Sequence, residues 1–154
     1  MNRIKKLWPW ISLVLLLAFT LLIFSFSFDT AEESSEKSEK VTETLQSICD
    51  ALNLDVEVVE GTVRKAAHFA EFALLGALAL LCSKAFDMGT CPALLYSIIA
   101  AAIDETIQIY SPDRASSTAD VLLDFAGALL GVLCLLLIIK LRKSHKTANK
   151  NRTV

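Results

Sequence analysis

Four long apolar runs, at about residues 7–28, 63–86, 92–110 and 119–141, alternate with polar stretches that are short except for one at 29–62. Some 20 apolar residues at about 1.5 Å of rise each are enough to cross a hydrocarbon core of roughly 30 Å. Each run therefore predicts a membrane-spanning helix. Inside the long polar stretch, Asp29–Lys40 is a Ser/Glu/Lys-rich segment of the composition expected to be solvated and mobile. From Val41 the pattern changes. Val41, Leu45, Ile48 and Leu52 recur at helical spacing, which predicts an amphipathic helix of about 14 residues lying on the membrane surface or capping the bundle. Gly61 breaks the chain before the second run, Gly89 and Pro92 mark the second turn, and Pro112 marks the third. The fold class is all-α: a polytopic membrane four-helix bundle with an additional short amphipathic helix in the first extracytoplasmic loop.

Charge turns this pattern into a topology. Nine of the 15 basic residues lie at the ends of the chain, three before Leu7 and six from Lys140 onward, whereas ten of the 17 acids fall between Asp29 and Glu60. Positive charge stays on the cytoplasmic side. Both termini are thus expected in the cytoplasm, with the acidic loop 29–62 and the Ser111–Thr118 turn outside. The chain divides into a basic N-terminus at 1–6, a membrane domain at 7–141 and a basic tail at 142–154. The first run is read as a retained span, because Phe-Ser-Phe-Ser-Phe ends it without a small-x-small cleavage site. The net charge of −2 has no basic face behind it, which argues against nucleic acid as a partner. The four cysteines have no metal-ligand spacing. Cys82, Cys91 and Cys134 sit in or beside apolar runs, and Cys49 is expected to be free or to pair between molecules.

Orientation brings the remaining charges together. Arg64, Lys65, His68 and Glu71 open the second span, Asp104, Glu105 and Gln108 close the third, and Asp120 and Asp124 open the fourth. All fall in the outer part of the membrane, with Arg114 on the turn between. An ionised side chain near the bilayer centre costs roughly 2.5–3.5 kcal/mol on insertion scales, less toward the interface, so such a set needs pairing, hydration or function to persist. Arg64, His68 and Glu71 share one helical face, as do Asp104 with Gln108 and Asp120 with Asp124. Extending the last face reaches Gly127 and Gly131, a small-xxx-small step for close helix approach. A structural role competes for single residues: Arg64 and Lys65 as interfacial anchors, Asp120 as an N-cap, Arg64–Glu71 or Arg114–Asp120 as ion pairs. His68, Glu71, Asp104 and Glu105 lie too deep for anchors.

Three ordered motifs carry a family resemblance. Arg-Lys-Ala-Ala-His-Phe-Ala-Glu-Phe at 64–72 with Leu75-Gly76, Asp-Glu-Thr-Ile-Gln at 104–108, and Arg114 followed by Asp-Val-Leu-Leu-Asp at 120–124 with Gly127 and Gly131 resemble the VanZ-like family over about residues 8–140. That family is a bacterial membrane family whose named member gives low-level teicoplanin resistance. The resemblance implies residence in the bacterial cytoplasmic membrane and a role in the cell envelope. It also implies signature residues at Arg64, Lys65, His68, Glu71, Asp104, Glu105, Gln108, Arg114, Asp120 and Asp124. The family usually carries Asn where this chain has Asp124, and often Tyr where it has Phe72.

Two readings of this set lead. In one, the protein binds the anionic headgroup of a membrane lipid or lipid-linked cell-wall precursor through Arg64, Lys65, Gln108, Arg114, Asp120 and Asp124, or holds an envelope partner. In the other it is a membrane enzyme in which His68 is the acid/base candidate and Glu71, Asp104 and Glu105 orient it or act as base. A divalent cation on the carboxylates is compatible with either, although His68 and Glu71 form only half of a carboxylate–histidine metal motif and no metal ligand set is assigned. No hydroxyl nucleophile stands out. Transport ranks last, since four spans without a broken-helix repeat would have to work as a homo-oligomer.

Overall fold

The computed structural model describes the backbone of residues 2–112 and 117–152 and the side chains of residues 6–112 and 117–145. Among the described residues there are five helices and no strand. They are α1 (Asn2–Ser27), α2 (Ala31–Ala51), α3 (Glu60–Ala85), α4 (Cys91–Tyr110) and α5 (Thr118–Arg152). All but α2 are long and apolar enough to cross a membrane. The 26 residues of α3 extend about 39 Å, longer than a core of roughly 30 Å, so its first turns reach the headgroup region.

The turns follow from local chemistry. Pro92 sits in the first turn of α4, where its missing N–H costs nothing. Asp87 takes a left-handed φ of 56° between α3 and α4, and the Ser83 hydroxyl donates to the Gly89 carbonyl at 2.6 Å, closing that turn. Trp10 of α1 meets Phe86 edge-on at the same end of the bundle, with ring centroids 5.8 Å apart. The basic stretch after Lys140 continues α5 as helix to Arg152.

The segment 29–40 departs from expectation. It is helical from Ala31, so α2 has 21 residues in place of about 14. Composition alone concealed a capping box, in which the Thr30 hydroxyl accepts from the Glu33 amide at 3.2 Å and the Glu33 carboxylate accepts from the Thr30 amide at 2.9 Å. Lys40 pairs with Glu36 one turn back at 2.8 Å. The hydrogen bond and charge of Lys40 hold the Glu36 carboxyl below its ordinary value. α2 is tied across one end of the bundle. Ser35 donates to Glu60 at 2.7 Å, and the Ala31 amide donates to the Pro112 carbonyl at 3.3 Å.

α3 is the central helix. Phe72, Leu75, Ala79 and Leu80 are buried against Ala100 and Ala101 of α4, Ala128 and Val132 of α5, and Leu16 and Ile23 of α1. The α3–α5 contact is made by backbone. A Cβ on Gly131 would lie 1.8 Å from the Ala73 carbonyl oxygen, one on Gly76 2.1 Å from that of Ala128, and one on Gly127 2.3 Å from that of Phe69. Helices in lipid gain little from apolar burial against one another, and close packing of small residues supplies the attraction instead. The outer faces of the four long helices expose large apolar side chains such as Leu15, Leu21, Leu95, Ile99, Leu133 and Leu137. In water such a surface would be a liability; in a bilayer it is the lipid-facing shell.

Candidate functional site

At the α2 end of the bundle, three helices enclose a polar cavity of about 60 Å³. α3 contributes Arg64, Lys65 and His68; α4 contributes Glu105 and Gln108; α5 contributes Asp120, Leu123 and Asp124. By the volume that one buried water needs, it has room for roughly four to six waters, or one small charged group. The wall is bound together across helices. Lys65 Nζ meets Asp120 Oδ1 at 3.1 Å, joining α3 to α5. The Ser117 amide donates to Glu105 Oε1 at 2.6 Å, joining the start of α5 to α4. Ser117 also receives the Ala119 amide on its hydroxyl at 3.1 Å. It therefore occupies the capping position that was open to Asp120, which sits in the first turn of α5 facing Lys65.

A second cavity of about 220 Å³ adjoins the first, between the end of α1, α2 and α3. Arg64 and His68 line both. Glu71 lines only the second, where its Oε2 is 3.7 Å from His68 Nδ1. Asp29, Ser34, Lys37 and Ser38 form the opposite wall. Asp29 and Lys37 are themselves paired at 2.6 Å.

Asp104 lines neither cavity. It is buried behind them, where one carboxylate oxygen accepts from the Ser27 hydroxyl and the other from Gln108 Nε2 at 2.8 Å. The Ser27 carbonyl in turn accepts from the Ser111 hydroxyl at 2.8 Å. Ser27 was not singled out from sequence. The available signal was a stripe on α1, in which Ser12, Leu16, Thr20, Ile23 and Ser27 repeat at helical spacing and are all buried. Three of the five are small polar residues on the inner face of a span. Thr20 on that stripe shares a 2.6 Å hydrogen bond with the Tyr96 hydroxyl of α4. Arg114 lies outside the described residues. The suggested Arg64–Glu71 pair does not form; Glu71 faces His68 instead. All four cysteines are free. Among the described residues, no three His, Cys, Asp or Glu side chains are grouped to hold a metal ion.

The VanZ/LLP1 family model matches residues 10–140, which take in both cavities and every helix contact just described. The chain belongs to the VanZ/LLP1 family. No curated protein and no solved structure matches it. In this VanZ/LLP1 protein the three motifs converge from separate helices. The motif of α3 supplies the wall shared by the two cavities, and those of α4 and α5 close the smaller one. Gly76, Gly127 and Gly131, which belong to the same motifs, make the backbone contact that brings α3 and α5 together. With four apolar helices and this membership, it is a multi-pass membrane protein.

Proposed function

We propose that the protein works at the outer face of the bacterial cytoplasmic membrane, with both termini in the cytoplasm, and binds the anionic headgroup of an envelope lipid or lipid-linked cell-wall precursor. The observation that carries this reading is Arg64. It lines both cavities, and among the described residues no carboxylate lies within ion-pair distance of it. A guanidinium in a partly desolvated wall is a strong bidentate partner for phosphate or carboxylate. Lys65 and Arg114 add positive charge, Gln108 adds an amide, and Asp120 and Asp124 meet the hydrogen-bond donors of the headgroup. Asp104, bonded on both oxygens, holds Gln108 and α1 in position. Through such binding the protein alters the envelope and, as in the family's named member, susceptibility to glycopeptides such as teicoplanin.

A second reading is favoured by one contact. His68 and Glu71 lie 3.7 Å apart and both open onto the larger cavity, a pairing suited to acid–base catalysis with Glu105 on the other side. One experiment separates the two. The purified protein is incubated with radiolabelled lipid-linked precursors, with and without a chelator. Binding without product, weakened by Arg64→Gln, supports the first reading. Turnover lost in His68→Ala and Glu71→Gln supports the second. Neither binding nor turnover by folded protein would defeat both.

A further inference from the structure

One face of α2 changes character along its length. At about 3.6 residues per turn, Ser34 and Ser38 stand in line with Val41, Leu45, Ile48 and Leu52. The polar part of this face lies over the larger cavity, where Ser34, Lys37 and Ser38 stand across from Arg64 and Glu71 of α3. The apolar part starts at Val41, which lines both that cavity and a groove of about 520 Å³ shared with Val63, Ala66 and Ala67 of α3. Past Leu45, α2 is held by the segment that returns to α3. The Gln46 amide nitrogen donates to the Val56 carbonyl at 3.2 Å, its oxygen accepts from the Val58 amide at 2.9 Å, and the Leu54 amide donates to the Cys49 carbonyl at 2.9 Å.

The chain leaves the apolar part of this face open. Val41, Leu45, Ile48 and Leu52 are 50%, 40%, 50% and 63% exposed, and Leu54 and Val56 of the return segment are as open. The acids of α2 lie on its far side: Glu32, Glu36, Glu39, Glu43 and Asp50 fall opposite the stripe and are all exposed. The groove fixes which way the stripe looks. Val63, Ala66 and Ala67 stand within the first turns of a helix long and apolar enough to cross a membrane, and the same flank of that helix continues through exposed Ala70 and Leu74. The stripe is therefore continuous with the lipid-facing shell of the bundle, while the acids point away from it.

We infer that α2 works in two halves, and that the partner of its second half is the bilayer leaflet on its own side of the membrane. Its first half roofs the larger cavity. From Val41 to Leu52, with the return segment, it is an in-plane anchor whose apolar side chains lie at the boundary of headgroups and acyl chains, roughly 5–10 Å deep. Anchors of this kind usually carry Lys and Arg on the polar face, which draw them to anionic lipid. Acids take those positions here, so apolar burial alone seats the helix and a neutral bilayer suffices.

The test uses the full chain carrying Cys49→Ala, Cys82→Ala, Cys91→Ala and Cys134→Ala. Leu45→Cys, Ile48→Cys or Leu52→Cys on the stripe, and Glu39→Cys or Glu43→Cys opposite it, are added singly, spin-labelled and reconstituted in phosphatidylcholine vesicles. Collisions with oxygen, which concentrates in hydrocarbon, are compared with collisions with a water-soluble nickel chelate. The oxygen-to-nickel ratio should be severalfold higher on the stripe than at the two acidic positions. Equal ratios on both faces would place the stripe in water and overturn the inference. Protection from both reagents would also overturn it: spectral broadening relieved by dilution with unlabelled chain then identifies a second copy, and its absence a stripe folded onto its own bundle. Contrast that appears only when phosphatidylglycerol is added would overturn the charge-independent seating. The unsubstituted chain gives an independent readout in the same vesicles. A lipid-borne diazirine should label the stripe of α2, and a chain labelled on its spans but not on α2 would refute the anchor.

Discussion

Replacing Gly131 by alanine adds one methyl group at the tightest point of the bundle. Its Cβ would stand 1.8 Å from the Ala73 carbonyl oxygen and 2.7 Å from the carbonyl carbon. Real Cβ atoms essentially never approach below 3.0 Å, so α5 must withdraw from α3 by at least 1.2 Å along that line (3.0 less 1.8). The obstacle is helix backbone, which cannot rotate aside as a side-chain tip would. Overpacking typically costs about 1–3 kcal/mol, and a clash between two backbones belongs at the upper end. A loss of about 2–3 kcal/mol corresponds to roughly a 30- to 150-fold smaller folding constant. Unfolding in mixed micelles, by detergent titration or steric trapping, measures it. Gly89→Ala is the control of identical chemistry, since a Cβ there meets nothing within 4 Å, and it should stay within about 0.5 kcal/mol of the parent. Gly127→Ala should resemble Gly131→Ala, and the double variant should cost less than the sum, because helices already pushed apart have room for the second methyl. If Gly131→Ala is as mild as Gly89→Ala, the helices do not touch at this point and the account of α3–α5 packing is wrong.

Ser27→Ala leaves a buried oxygen of Asp104 without its donor and should cost about 1–3 kcal/mol in the same assay. Tyr96→Phe removes the α1–α4 hydrogen bond to Thr20 and should cost only about 0.6 kcal/mol, the average for interhelical bonds in membranes. A membrane-impermeant maleimide should label Cys49 on α2 in intact cells and Cys91 only after permeabilisation, in single-cysteine variants; the reverse order would invert the proposed topology.

The four spans were legible because their signal is compositional and continuous. In lipid every backbone group must be satisfied within the helix, so length and apolarity nearly decide the element. The grouping of polar side chains was legible for a related reason, since their depth follows from position along a span. What escaped was local or pairwise. The capping box at Thr30 and Glu33 overrides a composition that otherwise reads as disordered. The partner of Lys65 could not be told from spacing, because it lies on α5 and depends on how far α3 and α5 slide past each other before their glycines lock. Ser27 escaped because one serine in an apolar run has no pattern until the other buried positions of α1 are known.

Asp124 decides whether the polar end of the α3–α5 interface is there for strength or for ligand. It lies on the stripe of α5 that continues through Gly127 and Gly131, so one interface is closed by backbone contact at one end and opens onto the cavity at the other. Its side chain is buried at 2% exposure, and among the described residues its carboxylate has no hydrogen-bond partner or ion pair. A group in that position weakens the bundle unless something beyond the described residues satisfies it, and an apolar residue of similar volume is commonly neutral or stabilising where a buried charge stood. Asp124→Leu should therefore raise stability by about 1 kcal/mol, the scale at which sites held for function relax when replaced, while binding of the lipid-linked precursor falls. A structural Asp124 gives the opposite sign: Asp124→Leu would lower the unfolding free energy, and Asp124→Asn, the residue usual in the family, would restore it. Measured together, stability and lipid binding of these two variants separate a carboxylate that holds helices from one that waits for a headgroup.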